Sequence, residues 1–177
     1  MNIMFKKDYQ VMTNKKWGVL WGGMRVLKHR NLRFCLYGRL AGKKIIGRFF
    51  EMLRKKHENK YGLEINFKNI GGGLLLLHPF NITVNSRAVL GENVTLFKGV
   101  TIGSIRSGKR EGVPIIGDRV TVCCNAMICG NITVGNDVLI AANAFVDFDV
   151  PSDSVVIGNP GKIYHKEKAS IDYLTGV

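Results

Sequence analysis

The stretch ITVNSRAVLGENVTLFKGVTIG, Ile82 to Gly103, carries aliphatic residues at a period of six. Val84, Leu90, Leu96 and Ile102 form the principal series, and the residues two before each, Ile82, Ala88, Val94 and Val100, are also small or aliphatic. Two inward residues separated by one outward residue make a very short strand, and the glycine, Asn and Asp residues that follow turn the chain. After a gap the double series resumes with Ile116, Val122, Ile128, Val134, Ile140 and Val146, the last five preceded by Val120, Ala126, Ile132, Val138 and Ala144. One such turn cannot bury its inward face alone, whereas stacked turns build a continuous aliphatic column. A meander or sandwich needs longer strands and does not hold a strict period of six. The reading is a mainly β solenoid.

The period breaks twice. Ile70 and Leu76 extend the series upstream, but the step from Leu76 to Val84 is eight residues, and His78 lies inside that bulge. The step from Ile102 to Ile116 is fourteen residues, where twelve would preserve the phase. It holds Ser104-Ile105-Arg106-Ser107-Gly108-Lys109-Arg110-Glu111-Gly112, which has no inward pair and reads as a protruding loop over 104–115. Breaks in a strict solenoid are where function is grafted.

His78 has two readings, a satisfied structural residue beside an aliphatic run or a working imidazole. Its place at a register break, next to a rigid Pro79 and a few coils from a loop able to cover it, favours the second. An imidazole titrating near neutrality removes a proton from a hydroxyl as that oxygen attacks a carbonyl, provided a second group fixes the ring. No Ser or Cys sits in a nucleophile elbow, so direct transfer is expected in place of a covalent acyl-enzyme. Glu64, the nearest upstream carboxylate, lies roughly one turn earlier and is the candidate orienting group.

The chain of 177 residues has a formal net charge of +13. Residues 1–60 hold 16 Lys and Arg against 3 Asp and Glu, and residues 61–177 hold 10 of each, so the whole excess belongs to the first third. Apolar residues there, from Trp17 and Trp21 to Phe49 and Leu53, recur at three and four, which predicts two or three short helices with Gly22-Gly23, Gly38 and Gly42 as breaks or close-contact points. The segment reads as a solvated helical face, as a surface for an anionic membrane, or as a contact for an acidic partner. No nucleic-acid partner is expected, because no recognition-helix motif is present. The start lacks an apolar core of signal-peptide length and no eighteen apolar residues run unbroken, so a cytoplasmic protein, peripheral to the membrane at most, is expected. Cys35, Cys123, Cys124 and Cys129 lack paired spacing and read as half-buried thiols, with no metal site. The expected divisions are a basic helical segment 1–60, a solenoid 61–165 and a tail 166–177.

The ordered run Ile70-Gly71-Gly72-Gly73 to His78, then Ile82 to Asn85, Ala88 to Val94, Gly99 to Gly103, Ile128 to Gly135 and Val156 to Lys162, resembles the catalytic half of serine acetyltransferases and their relatives. The resemblance covers about residues 62–165 and implies a left-handed parallel β-helix, a homotrimer and acetyl-CoA as acyl donor, bound in the cleft between neighbouring columns. It implies that His78 is the general base and, after a one-residue shortening, that Glu64 matches the family's aspartate. It points to Gly103, Cys124 and Ala142 along the pantetheine arm, with Lys162 as a phosphate contact. Four acceptor positions depart from the family: Leu77 replaces an acidic residue, Ser86 a glutamate, and Gly112-Val113 an arginine–histidine pair. Losing such charge-matched contacts costs recognition of a free amino acid. The expectation is therefore an O-acetyltransferase acting on a sugar hydroxyl of a surface polysaccharide or its lipid-linked precursor. The alternatives are a serine O-acetyltransferase and a non-catalytic scaffold.

Overall fold

In the computed structural model, which describes residues 2–173, four helices precede a three-sided column. The helices are α1 (Ile3–Thr13), α2 (Val19–Lys28), α3 (Arg30–Ala41) and α4 (Gly47–Tyr61). Asn2 caps α1 by accepting from the Met4 amide at 2.8 Å, which satisfies one of the amides a helix start leaves free. Of the glycines read as breaks or close-contact points, Gly22 and Gly23 lie inside α2 and break nothing, and Gly22 is a close-contact point under the Trp17 ring. Gly38 is a close-contact point: a side chain there would collide with the Phe67 ring, against which α3 packs.

Each side of the column is a sheet of very short parallel strands. The first holds β1 (Leu63–Ile65), β3 (Ile82–Val84), β6 (Thr101–Gly103), β9 (Met127–Cys129) and β12 (Phe145–Val146). The second holds β4 (Val89–Leu90), β7 (Ile115–Ile116) and β10 (Thr133–Val134). The third holds β2 (Leu75–Leu77), β5 (Thr95–Phe97), β8 (Thr121–Val122), β11 (Val138–Ile140) and β13 (Ser154–Ile157), and ends in β14 (Lys162–His165), which runs antiparallel to β13. Register partners such as Val84 and Ile102, or Ile128 and Val146, stand eighteen residues apart, three hexapeptides per coil. The inward series is buried as the period requires, with Val84, Leu90, Leu96, Ile102, Ile116 and Val122 all 4% exposed or less.

Two corners of the triangle are columns of left-handed residues. Between the third and first sheets stand Gly62, Asn81, Gly99, Asn125 and Asn143, with φ from 53° to 74°. Between the second and third stand Gly73, Asn93, Arg119, Asp137 and Asp153, with φ from 53° to 84°. Asn and Asp tolerate this conformation best after glycine, which explains their frequency in the repeat. The remaining corner carries the loop. Leu90 pairs with Ile116, twenty-six residues on, so the insertion is eight residues long and Ile102 and Ile116 sit on consecutive sides.

The helices are bolted to the first coil by a buried ion pair. Asp8 on α1 and Arg39 on α3 are 0% and 6% exposed and meet at 2.9 Å. Asp8 Oδ1 also accepts from the amides of Gly73 (2.8 Å) and Leu74 (2.9 Å), while Arg39 donates to the carbonyls of Ile70 and Gly71. Burial pushes the Asp8 carboxyl up, opposed by the hydrogen bonds and charge of Arg39 and by those two amides.

Candidate active site

The run Leu74 to Leu77 is first of all a strand. Leu74, Leu75 and Leu76 are buried, and Asn31 of α3 donates to the Leu76 carbonyl at 3.0 Å, which fixes the end of β2 beneath the helices. The two surplus residues after β2 take up the corner, and there His78 adopts φ 51° and is exposed. Left-handed backbone at a residue other than glycine costs on the order of 1–3 kcal/mol and persists only where its surroundings impose it. Among the described residues no hydrogen bond reaches the His78 ring, so the imidazole is presented to solvent.

His78 lines a groove of 810 Å³ between the first coil and α1–α3, bounded by Leu75, Leu77, Pro79 and Tyr61 on one side and by Lys15, Arg25, Lys28, His29, Arg30 and Arg33 on the other. Arg30 lies 4.9 Å over the Tyr61 ring and 4.5 Å over the Phe80 ring, which props the guanidinium beside the corner. The helical wall and its cations were not foreseen from sequence as part of the site. The mixed basic and apolar texture of the first sixty residues was the only signal.

The other expected site residues divide between places. Glu64 projects outward from β1, in register with Thr83, and lines a 720 Å³ hollow on the first sheet with Asn81, Thr83 and Thr101. That hollow and the His78 groove flank the same corner, but Glu64 and His78 share no hydrogen bond. Cys124 and Ala142 lie on the His78 corner, one coil apart, joined by the Asn143 amide donating to the Cys124 carbonyl at 3.0 Å. Gly103 ends β6 at the opposite edge of the first sheet. A Cβ added to Gly103 would meet nothing nearer than 3.8 Å, so the chain's own packing does not demand glycine there. Lys162 is exposed at the start of β14.

The loop expected to cover His78 does not do so within the chain. Ile105 and Gly112 pair across its base, the Asn131 amide donates to the Arg110 carbonyl at 2.9 Å, and Arg110 reaches Asp149 at 3.3 Å. These contacts hold it at the far corner, between the first and second sheets. The cysteines are free; Cys123 and Cys124 sit in the turn after β8, not within a strand.

No family model matches the chain. It is 36% identical over 108 residues to a serine acetyltransferase of Helicobacter pylori, covering 60% of this chain and 63% of that protein. A serine acetyltransferase of Synechococcus elongatus is 34% identical over 116 residues, covering 64% of this chain and 47% of its own length. A third, from Staphylococcus xylosus, is 29% identical over 168 residues, covering 94% and 76%. Among solved structures, a serine O-acetyltransferase from Brucella melitensis superposes with a TM-score of 0.73 at 28% identity, covering 93% of this chain and 67% of that one. The soybean serine acetyltransferase complexed with serine gives 0.73 at 25% identity, covering 89% and 67%. The chain spans less than two thirds of the length of the first two of these relatives.

Column, corner histidine and comparisons together define a hexapeptide-repeat protein of the acetyltransferase kind. These comparisons strongly support a hexapeptide-repeat acetyltransferase family closely related to serine acetyltransferase. The expected sugar acceptor is overturned, since the relatives and structures alike are serine acetyltransferases. The departures at Leu77, Ser86, Gly112 and Val113 stand, and of the four only Leu77 lines the His78 groove.

Proposed function

We propose that the protein is an acetyl-CoA-dependent serine O-acetyltransferase. The observation that carries the reading is His78, exposed in a strained conformation at the edge of a large groove, on a chain related to serine acetyltransferases. His78 takes the proton of the serine hydroxyl as that oxygen attacks the thioester carbonyl, and backbone amides along the cleft hold the oxyanion. Collapse of the tetrahedral intermediate breaks the carbon–sulfur bond, and the imidazolium returns the proton to the departing thiolate. Glu64 acts from the first-sheet side of the corner as the carboxylate that orients the ring when the acceptor is bound.

The donor runs from His78 along the corner past Cys124 and Ala142, with its nucleotide end near Lys162. Gly103, at the opposite edge of the sheet, meets that ligand from a neighbouring copy, which is the basis for proposing a homotrimer with shared sites. The assay follows free thiol released from acetyl-CoA on addition of L-serine. We expect serine-dependent release, lost about 10²- to 10⁴-fold in His78→Ala and reduced to a lesser degree in Glu64→Gln. Absence of serine-dependent release sinks the reading, and an undiminished kcat in Glu64→Gln removes Glu64.

A peripheral contact with an anionic bilayer belongs to the same proposal. No helix among the described residues is long and apolar enough to cross a membrane. Yet α2 packs inward through Gly22 and Val26 and turns Leu20, Trp21, Met24 and Leu27 outward, at 71%, 70%, 45% and 73% exposure, beside Lys28. An outward apolar face bordered by cations suits the headgroup region of anionic lipid. Leu20→Glu with Trp21→Glu is expected to abolish sedimentation with anionic vesicles, and unchanged sedimentation rejects the contact.

A further inference from the structure

The groove beside His78 has a charge pattern that the transfer chemistry does not use. Lys15, Arg25, Lys28, Arg30 and Arg33 line it, and no carboxylate does. Among the described residues none of the five forms an ion pair, although Arg39, Arg110 and Arg119 each have one and Arg54 has two. Arg25 donates to the Tyr9 hydroxyl at 3.2 Å, Arg33 to the Leu27 carbonyl, and Arg30 stacks on Tyr61 and Phe80. These contacts orient the guanidinium groups and neutralise none of them. Like charges held along one wall repel, and an anion among them relieves that repulsion.

We propose that this groove is an anion site that holds the charged end of the hydroxyl acceptor, a carboxylate in serine and, more tightly, a phosphate in larger acceptors. The inference rests on the acetyl-transfer reading and deepens it. Acetyl-CoA also carries phosphates, but its path along Cys124, Ala142 and Lys162 leads to later coils. The groove lies on the other side of His78, against the first coil and the helices. The two ligands thus approach from opposite sides and meet beside the imidazole, as direct transfer requires of an acceptor oxygen and a thioester carbon in contact. Arg and Lys donors match carboxylate and phosphate oxygens, and phosphate with its greater charge and three acceptor oxygens gains more from five cations. With no carboxylate in the lining, no charged side chain there pairs with an ammonium group, and 810 Å³ leaves room for acceptors well beyond a free amino acid.

The test compares full-length Lys15→Glu/Lys28→Glu with Lys55→Glu/Lys56→Glu, which makes the same charge change at exposed positions of α4 outside the groove. Pyrophosphate is titrated calorimetrically without acetyl-CoA. Kinetics are then measured with L-serine, with 3-hydroxypropionate, which is serine without its ammonium, and with glycerol 3-phosphate. The groove variant is expected to lose at least about tenfold in pyrophosphate affinity and to raise acceptor KM by a similar factor, with the acetyl-CoA KM unchanged and the α4 variant near wild type. 3-Hydroxypropionate is expected to serve at least as well as L-serine, and glycerol 3-phosphate with a lower KM. Equal losses in both variants, or a rise confined to the acetyl-CoA KM, overturn the proposal. If no acceptor is acetylated while groove-dependent pyrophosphate binding persists, the anion site stands and the acetyl-transfer reading falls.

Discussion

His78 shows how far one residue was legible. An eight-residue step in a six-residue period marked it from sequence, because surplus residues at a packed column have to leave the column. Its left-handed φ and its exposure were not legible, since both follow from how the corner absorbs the surplus beneath α3. Strain and chemistry at this position are separable. Asn tolerates left-handed backbone, whereas Ala has no local hydrogen bond to offset it. His78→Asn is therefore expected to keep the wild-type melting temperature while losing activity about 10²- to 10⁴-fold. A melting temperature several degrees lower would show that the ring also supports the fold, and retained activity would remove the imidazole from the reaction.

Among the elements, the solenoid strands were readable and the helices only partly so. Period counting fixes position modulo six. The loop step of fourteen thus read as two surplus residues beyond twelve, whereas the register shows eight beyond six. The apolar series from Trp17 to Leu53 forms three helices, within the two or three expected, whereas α1 lies ahead of that series and was not foreseen. The Asp8–Arg39 pair was invisible, being one acidic residue among sixteen cations with its partner thirty-one residues away. Its consequence belongs to the elements it joins, since α1 and α3 grip the Gly71–Leu74 segment that leads into β2 and His78. Asp8→Asn keeps the shape but leaves a buried guanidinium without its counter-charge, a change that costs about 3–5 kcal/mol. Chemical denaturation should show that loss, accompanied by a fall in kcat as the strand feeding His78 loosens. A loss below about 1 kcal/mol would mean that the Ile70 and Gly71 carbonyls alone satisfy Arg39.

At the scale of the whole molecule, the periodic column is specified by local sequence, but a site shared between copies is not. Solenoid turns contact only their neighbours, so each turn writes its own burial pattern and nothing in that pattern records which side meets another chain. The shared site proposed above rests on placement within one sheet. His78, Cys124 and Ala142 stand on one corner and Gly103 on the far edge of the same sheet, so one ligand meets all four only if two copies contribute. Complementation tests this directly. His78→Ala and Gly103→Trp each disable a different half of the site, the second by filling space that the chain itself leaves open. In a closed ring of three assembled at random from equal amounts of the two chains, a site is intact when His78 comes from one variant and Gly103 from the other. Co-expression should then restore about a quarter of wild-type activity. Mixing the two purified variants without exchange should restore none. If every site were built within one chain, each would carry a defect and co-expression would restore nothing, and the shared cleft would have to be given up.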